Sequence, residues 1–186
     1  MIEAVLVTIF PVGFLIILFG GGVLLRRRNI EQNGKAPINP TLFYASKYSV
    51  IALWGAMVAR NWGISLSFAE VPRFLQIIAL FFWISGFVLL SIVRFKMGDS
   101  FRLGTPREDT RLKTDGLFRL SRNPMYVGMY ATMAASALYT LNPVIILLAV
   151  FVVAVHHKIV LMEEKHLQMV FGREYLDYRN RVRQYI

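Results

Sequence analysis

Arg122-Asn123-Pro124-Met125-Tyr126-Val127-Gly128 opens one apolar run, and Glu163-Glu164 closes the next. A proline turn and two adjacent carboxylates flank very hydrophobic segments. A charged group near lipid costs a few kcal/mol unless it is paired, solvated or facing a cavity. The arrangement therefore predicts a polar pocket at one end of a helical bundle.

The apolar runs extend outward from this stretch. Residues 125–141 and 143–162 are joined by Asn142-Pro143, which predicts a helical hairpin. Upstream lie residues 2–25, 41–59 and 74–93. Each is near the ~20 residues that cross the hydrocarbon core as a helix, the run from 125 being the shortest. Spanning segments must satisfy their own backbone groups, so helices are expected throughout. The fold class is all-α: a polytopic membrane protein of about five helices. A single membrane domain over residues 1–186 is expected. Residues 1–93 would give three spans; residues 94–186 would give a cofactor-binding loop, the hairpin and a terminal amphipathic helix.

Composition agrees. The chain has 186 residues, is 56 % hydrophobic and has no cysteine. Its mean hydropathy of +0.51 is too high for an ordinary soluble domain. Thiol chemistry, disulfides and Cys-based metal sites are excluded. The net charge of +10 resides in the connections between apolar runs, so it is not a nucleic-acid face. The first run is too long for the core of a cleaved signal peptide and has no basic stretch before it, so it reads as a retained span. Arg26-Arg27-Arg28, the basic residues of 94–124 and those following Lys158 share one side, whereas Arg60 and Arg73 lie on the other. The positive-inside rule puts the N-terminus outside and the C-terminus in the cytoplasm of an inner or plasma membrane. The acidic pair and the proline turn then face the cytoplasm.

The 94–124 connection holds turn signals at Gly98-Asp99-Ser100, Gly104-Thr105-Pro106 and Thr114-Asp115-Gly116. Residues 117–120 suggest a short surface helix. The connection reads either as a solvated loop touching anionic headgroups or as a wall of the pocket. Asn123 is placed to cap the helix that Pro124 opens. That helix start offers free N–H groups to an anion, and Gly128 allows close approach of a ligand or a helix. His157 and Glu164 are about two turns apart and share a helix face. No His-Glu-x-x-His motif is present, so no metal site is expected. Phe171-Gly172 reads as a helix stop, and residues 173–183 as an amphipathic anchor or a cover over the pocket. Gly20-Gly21-Gly22 marks either a close helix contact or a flexible end.

The ordered set Arg122, Pro124, Tyr126, Gly128, then Glu163-Glu164, Leu167, Phe171-Gly172, Tyr175 and Tyr178 resembles the isoprenylcysteine carboxyl methyltransferase family and its phospholipid methyltransferase relatives. The resemblance covers residues 95–183. It implies a membrane methyltransferase that uses S-adenosylmethionine, with a lipophilic acceptor entering from the bilayer, and with no metal or nucleic acid involved. Glu163 and Glu164 would hold ribose hydroxyls or the ammonium. The start of the fourth helix with Asn123 and Pro124 would hold the carboxylate. Lys113, Gly116 and Leu117 would wall the adenine, with Tyr126 beside it and Gly128 giving room. Arg122 and His157 would stand at the reacting groups.

Two departures narrow the acceptor. The family motif has histidine where Asn123 stands, and asparagine cannot titrate. The carboxyl methyltransferases place an arginine four residues before the first glutamate, where this chain has Ile159; a bidentate carboxylate clamp is lost there. His157 would instead act as a general base toward an amine, thiol or phenol-like acceptor. Two other functions fit the composition: an NADPH-dependent membrane sterol-type reductase, and a non-enzymatic membrane subunit.

Overall fold

The computed structural model describes residues 1–27, 38–98 and 112–186. The turn signals of residues 99–111, and with them the pocket wall expected of that loop, lie outside the described residues. Five α-helices follow one another: α1 (Ile2–Arg27), α2 (Pro40–Asn61), α3 (Arg73–Met97), α4 (Pro124–Thr140) and α5 (Pro143–Arg181). A 3-10 turn at Gly116–Arg119 precedes α4, where a short surface helix was expected. No strand occurs among the described residues.

Three helices start at Asn-Pro. Proline suits the first turn because its missing N–H would be unpaired there anyway. Asn39 accepts from the Thr41 and Leu42 amides, and Asn142 from those of Val144 and Ile145, so each satisfies two orphan donors. Leu141, at a left-handed φ of 42°, turns the chain from α4 into α5. At Asn123 the side chain makes no cap bond, which corrects the expectation from its sequence position.

Four helices are long and apolar enough to cross a membrane: α1, α2, α3 and α5. Their outward residues are apolar, as lipid contact requires: Ile16, Phe19, Phe81 and Leu147 are each more than 60 % exposed. The fifth segment, α4, has 17 residues and falls short of the usual spanning length. It packs most closely on α3, not on its hairpin partner α5. A Cβ on Gly86 would lie 2.7 Å from the Gly128 carbonyl oxygen, so the two backbones touch and only glycine fits.

An aromatic cluster joins the first three helices. Phe87 packs on Trp54 and Trp83 with ring centroids 4.8 Å apart, and Phe14 closes on Trp54 edge-on. At the N-terminal end of α1, Glu3 is ion-paired with Arg73 at 3.1 Å and accepts from the Tyr139 hydroxyl at 2.7 Å. That end of the bundle thus ties α1, α3 and α4 together. At the other end Gly21 lies against the Arg94 guanidinium, a close contact that its neighbour Gly20 does not share.

α5 has 39 residues, and its stretch before Gly172 alone is about 43 Å at 1.5 Å per residue, longer than the hydrocarbon core is thick. Its apolar part ends at Met162, and beyond it Glu164, Tyr175 and Tyr178 are still buried. Gly172, at φ 52° and ψ −120°, is non-helical and breaks α5 into two helical stretches. The expected stop lies there, the following residues form a second helical stretch, and the backbone becomes extended at Val182.

Pro11 sits inside α1 and cannot donate to the carbonyl four residues back. That carbonyl belongs to Val7, and the buried Trp83 indole donates to it at 3.0 Å. A neighbouring helix thus supplies the bond that proline removed. Trp83→Phe is expected to destabilise the protein by about 1–3 kcal/mol, because it leaves the Val7 carbonyl unsatisfied. In a Pro11→Ala background, where the backbone N–H returns, the same change costs about 1 kcal/mol less. Chemical unfolding of the four detergent-purified variants measures the difference, and strict additivity would contradict the assignment.

Candidate functional site

The start of α4 and the end of the apolar part of α5 meet on one side of the bundle. The meeting is electrostatic. Arg122 Nε and Nη2 lie 3.0 Å from Glu164 Oε1 and Oε2, a bidentate fork. Both side chains are about nine-tenths buried. Asn123 Nδ2 adds a third donor to Glu164 Oε1 at 2.8 Å. Burial opposes charge on Arg122, but its hydrogen bonds to Glu164 and that carboxylate's field outweigh burial and raise its pKa above the ordinary value.

Arg122 and Asn123, with Ser121, also grip the chain beyond α5. Arg122 Nη1 donates to the Val182 carbonyl at 2.6 Å, and the Arg122 amide donates to that of Arg183 at 2.9 Å. Ser121 Oγ and Asn123 Nδ2 both donate to the Gln184 carbonyl at 3.2 Å. A Tyr178 hydroxyl bond to the Phe118 carbonyl at 2.7 Å fixes the 3-10 turn against the kinked end of α5. The extended segment 182–186 is thereby strapped across the mouth of α4.

These contacts revise the roles read from sequence. Arg122 was expected at the reacting groups, but its guanidinium is taken up by Glu164 and backbone carbonyls. Asn123 was expected to cap α4; a charge-assisted bond to a buried carboxylate is stronger than a cap and draws its amide away. Glu164, 8 % exposed, has both oxygens occupied by protein donors. Glu163 differs: one oxygen accepts from the buried Tyr126 hydroxyl at 3.0 Å, and Oε1 has no hydrogen bond among the described residues.

Around this pair, Pro124, Tyr126 and Gly128 are all buried in the first turns of α4. Gly128 is taken by α3, so its smallness serves helix packing. Leu117 and Lys113 are half-buried on the segment leading into α4. Gly116, at φ 58°, adopts the left-handed backbone that glycine favours, and the Lys96 ammonium lies beside it. Ile159 is 2 % exposed in an apolar cluster with Tyr126, Val155 and Val160.

His157 Nδ1 lies 2.8 Å from the Tyr185 hydroxyl, which is 3.5 Å from that of Tyr130. The neighbouring His156 is buried, with its own Nδ1 on the Val152 carbonyl at 2.9 Å. Sequence reasoning missed Tyr185, Tyr130 and Ser121. Tyr185 lies beyond the last helix, where no periodicity assigns a side chain to a face. Ser121 acts on a backbone carbonyl of a residue 63 positions away.

A family model for phospholipid methyltransferase matches residues 71–174. The match takes in α3, α4 and most of α5, so it begins well upstream of the residues that carried the resemblance. A search of the curated proteins found no match. The fold and the joined motifs are those of an integral-membrane methyltransferase. The chain belongs to the phospholipid methyltransferase family, within the isoprenylcysteine carboxyl methyltransferase-like group.

Breaking a buried ion pair by removing one partner typically costs about 3–5 kcal/mol. Glu164→Ala should destabilise the protein by about that amount and loosen residues 182–186. Glu163→Gln, which keeps an acceptor for Tyr126, should cost less than about 1.5 kcal/mol. Thermal unfolding in detergent gives the order of the two variants, and amide exchange at Arg122 reports the strap. Equal stabilities would refute the division between the glutamates.

Proposed function

We propose that this protein transfers a methyl group from S-adenosylmethionine to a lipophilic acceptor that enters from the bilayer. The observation that carries the reading is the family match over residues 71–174. Its segment contains both the α4 start and the acidic pair, which the fold brings together.

The residues fit such a donor. Glu163 has, beside Tyr126, a carboxyl oxygen with no hydrogen bond among the described residues, suited to a ribose hydroxyl or an ammonium group. Tyr126 orients that carboxylate and packs beside the aromatic rings of Tyr130 and His156. Lys113, Gly116 and Leu117 lead into α4 and would wall the adenine. Glu164, Arg122 and Asn123 hold the frame and leave ligand contact to Glu163. The donor, when bound, supplies an electrophilic methyl on a sulfonium. The protein's task is alignment of donor and acceptor and exclusion of water, more than proton relay. The apolar faces of α3, α4 and α5 give an acceptor a route from lipid. The positive-inside asymmetry supports a cytoplasmic site.

Calorimetry on detergent-purified protein tests the reading. S-adenosylmethionine and S-adenosylhomocysteine are expected to bind, and Glu163→Ala is expected to weaken both at least tenfold, about 1.4 kcal/mol. Labelled methyl donor should then pass label to a total lipid extract. Binding of NADPH without the methyl donor would overturn the proposal in favour of a reductase. If none of the three bound, even with lipid present, a non-enzymatic role would replace it.

A further inference from the structure

His157 and Tyr185 meet through a contact that the methyl-transfer reading does not use. Tyr185 comes from the extended strap, and His157 from α5. Their rings are 6.0 Å apart by centroid, and phenol oxygen and Nδ1 are 2.8 Å apart. The phenol is held from its other side by Tyr130, whose ring packs edge-on at 5.6 Å. The strap is itself fixed by four hydrogen bonds to Ser121, Arg122 and Asn123. Tyr185 is therefore positioned by backbone contacts that are independent of His157.

We propose that Tyr185 is a positioning residue that donates to His157 Nδ1 and locks the imidazole as its Nε2–H tautomer. A neutral imidazole has one donor and one acceptor nitrogen, and the partner of one nitrogen decides the state of the other. Between a phenol and an imidazole, the phenol is the stronger acid and the ring nitrogen the stronger base. The proton therefore rests on the phenol side of the bond. Burial raises the Tyr185 pKa above its ordinary value, which keeps the donor in place at neutral pH. Nε2, on the opposite edge of the ring, then carries hydrogen. His157 presents a hydrogen-bond donor and not a lone pair. It suits an anionic oxygen on the acceptor and does not suit proton abstraction, which replaces the general-base role expected from sequence.

The bond assignment stands on this geometry alone; its consequence for the acceptor rests on the methyl-transfer reading. The test is 15N NMR of the full chain, labelled at its three histidines, in detergent micelles at neutral pH. His157→Asn identifies the His157 signals by their loss. The expected wild-type pattern is a pyridine-type Nδ1 and a pyrrole-type Nε2. Tyr185→Phe, which keeps the ring and removes only the donor, should shift His157 toward a mixture of tautomers and leave the His156 signals in place. A pyrrole-type Nδ1 in the wild-type chain would overturn the proposal. So would an unchanged His157 pattern in Tyr185→Phe. The tautomer is read with no methyl transfer taking place, so its failure is distinct from failure of the activity.

Discussion

A guanidinium and a carboxylate, paired in two parallel bonds of 3.0 Å, hold the functional end of this bundle together. Neither ion would be tolerated alone where it lies, because both are removed from solvent beside an apolar helix end. Paired, they impose order on three elements at once. Arg122 stands on the entry to α4 and Glu164 on α5, and the donors left over on Arg122 reach the strap beyond α5. The division leaves Glu163 to Tyr126, and its second oxygen accepts no hydrogen bond among the described residues.

Helices were the legible part of the sequence. Apolar runs of spanning length predict them, and Asn-Pro marks three of the starts within a residue. Side chains whose partner is a distant backbone carbonyl were not legible. Trp83 looks like any core tryptophan until its indole meets the carbonyl that Pro11 left without a donor. Asn123 reads as a cap because local sequence favours one, yet a carboxylate 41 positions later outbids the local amides. Local chemistry suggests what a residue can do, and the tertiary fold decides between options of similar free energy.

That the start of α4 and the acidic pair would meet was legible, but not which residue would pair with which. Adjacent glutamates are indistinguishable by type. Their helical positions differ by about 100° of rotation, which sends one toward Arg122 and Asn123 and the other toward Tyr126. Likewise, Gly128 reads equally as room for a ligand or for a helix, and the α3 backbone fills it. Ile159, at the position where the resemblance would put an arginine, is buried in an apolar cluster.

The strap is held in an unusual currency. Its anchors are the carbonyls of Val182, Arg183 and Gln184, groups that every amino acid carries. Identity at those three positions is thus nearly free to drift without loosening the segment. Tyr185 is different, because its hydroxyl meets a ring nitrogen. Within five residues the chain combines a stretch almost deaf to mutation with one position where a single atom matters. A screen of random substitutions across 182–186 would read this as one steep notch in a flat profile.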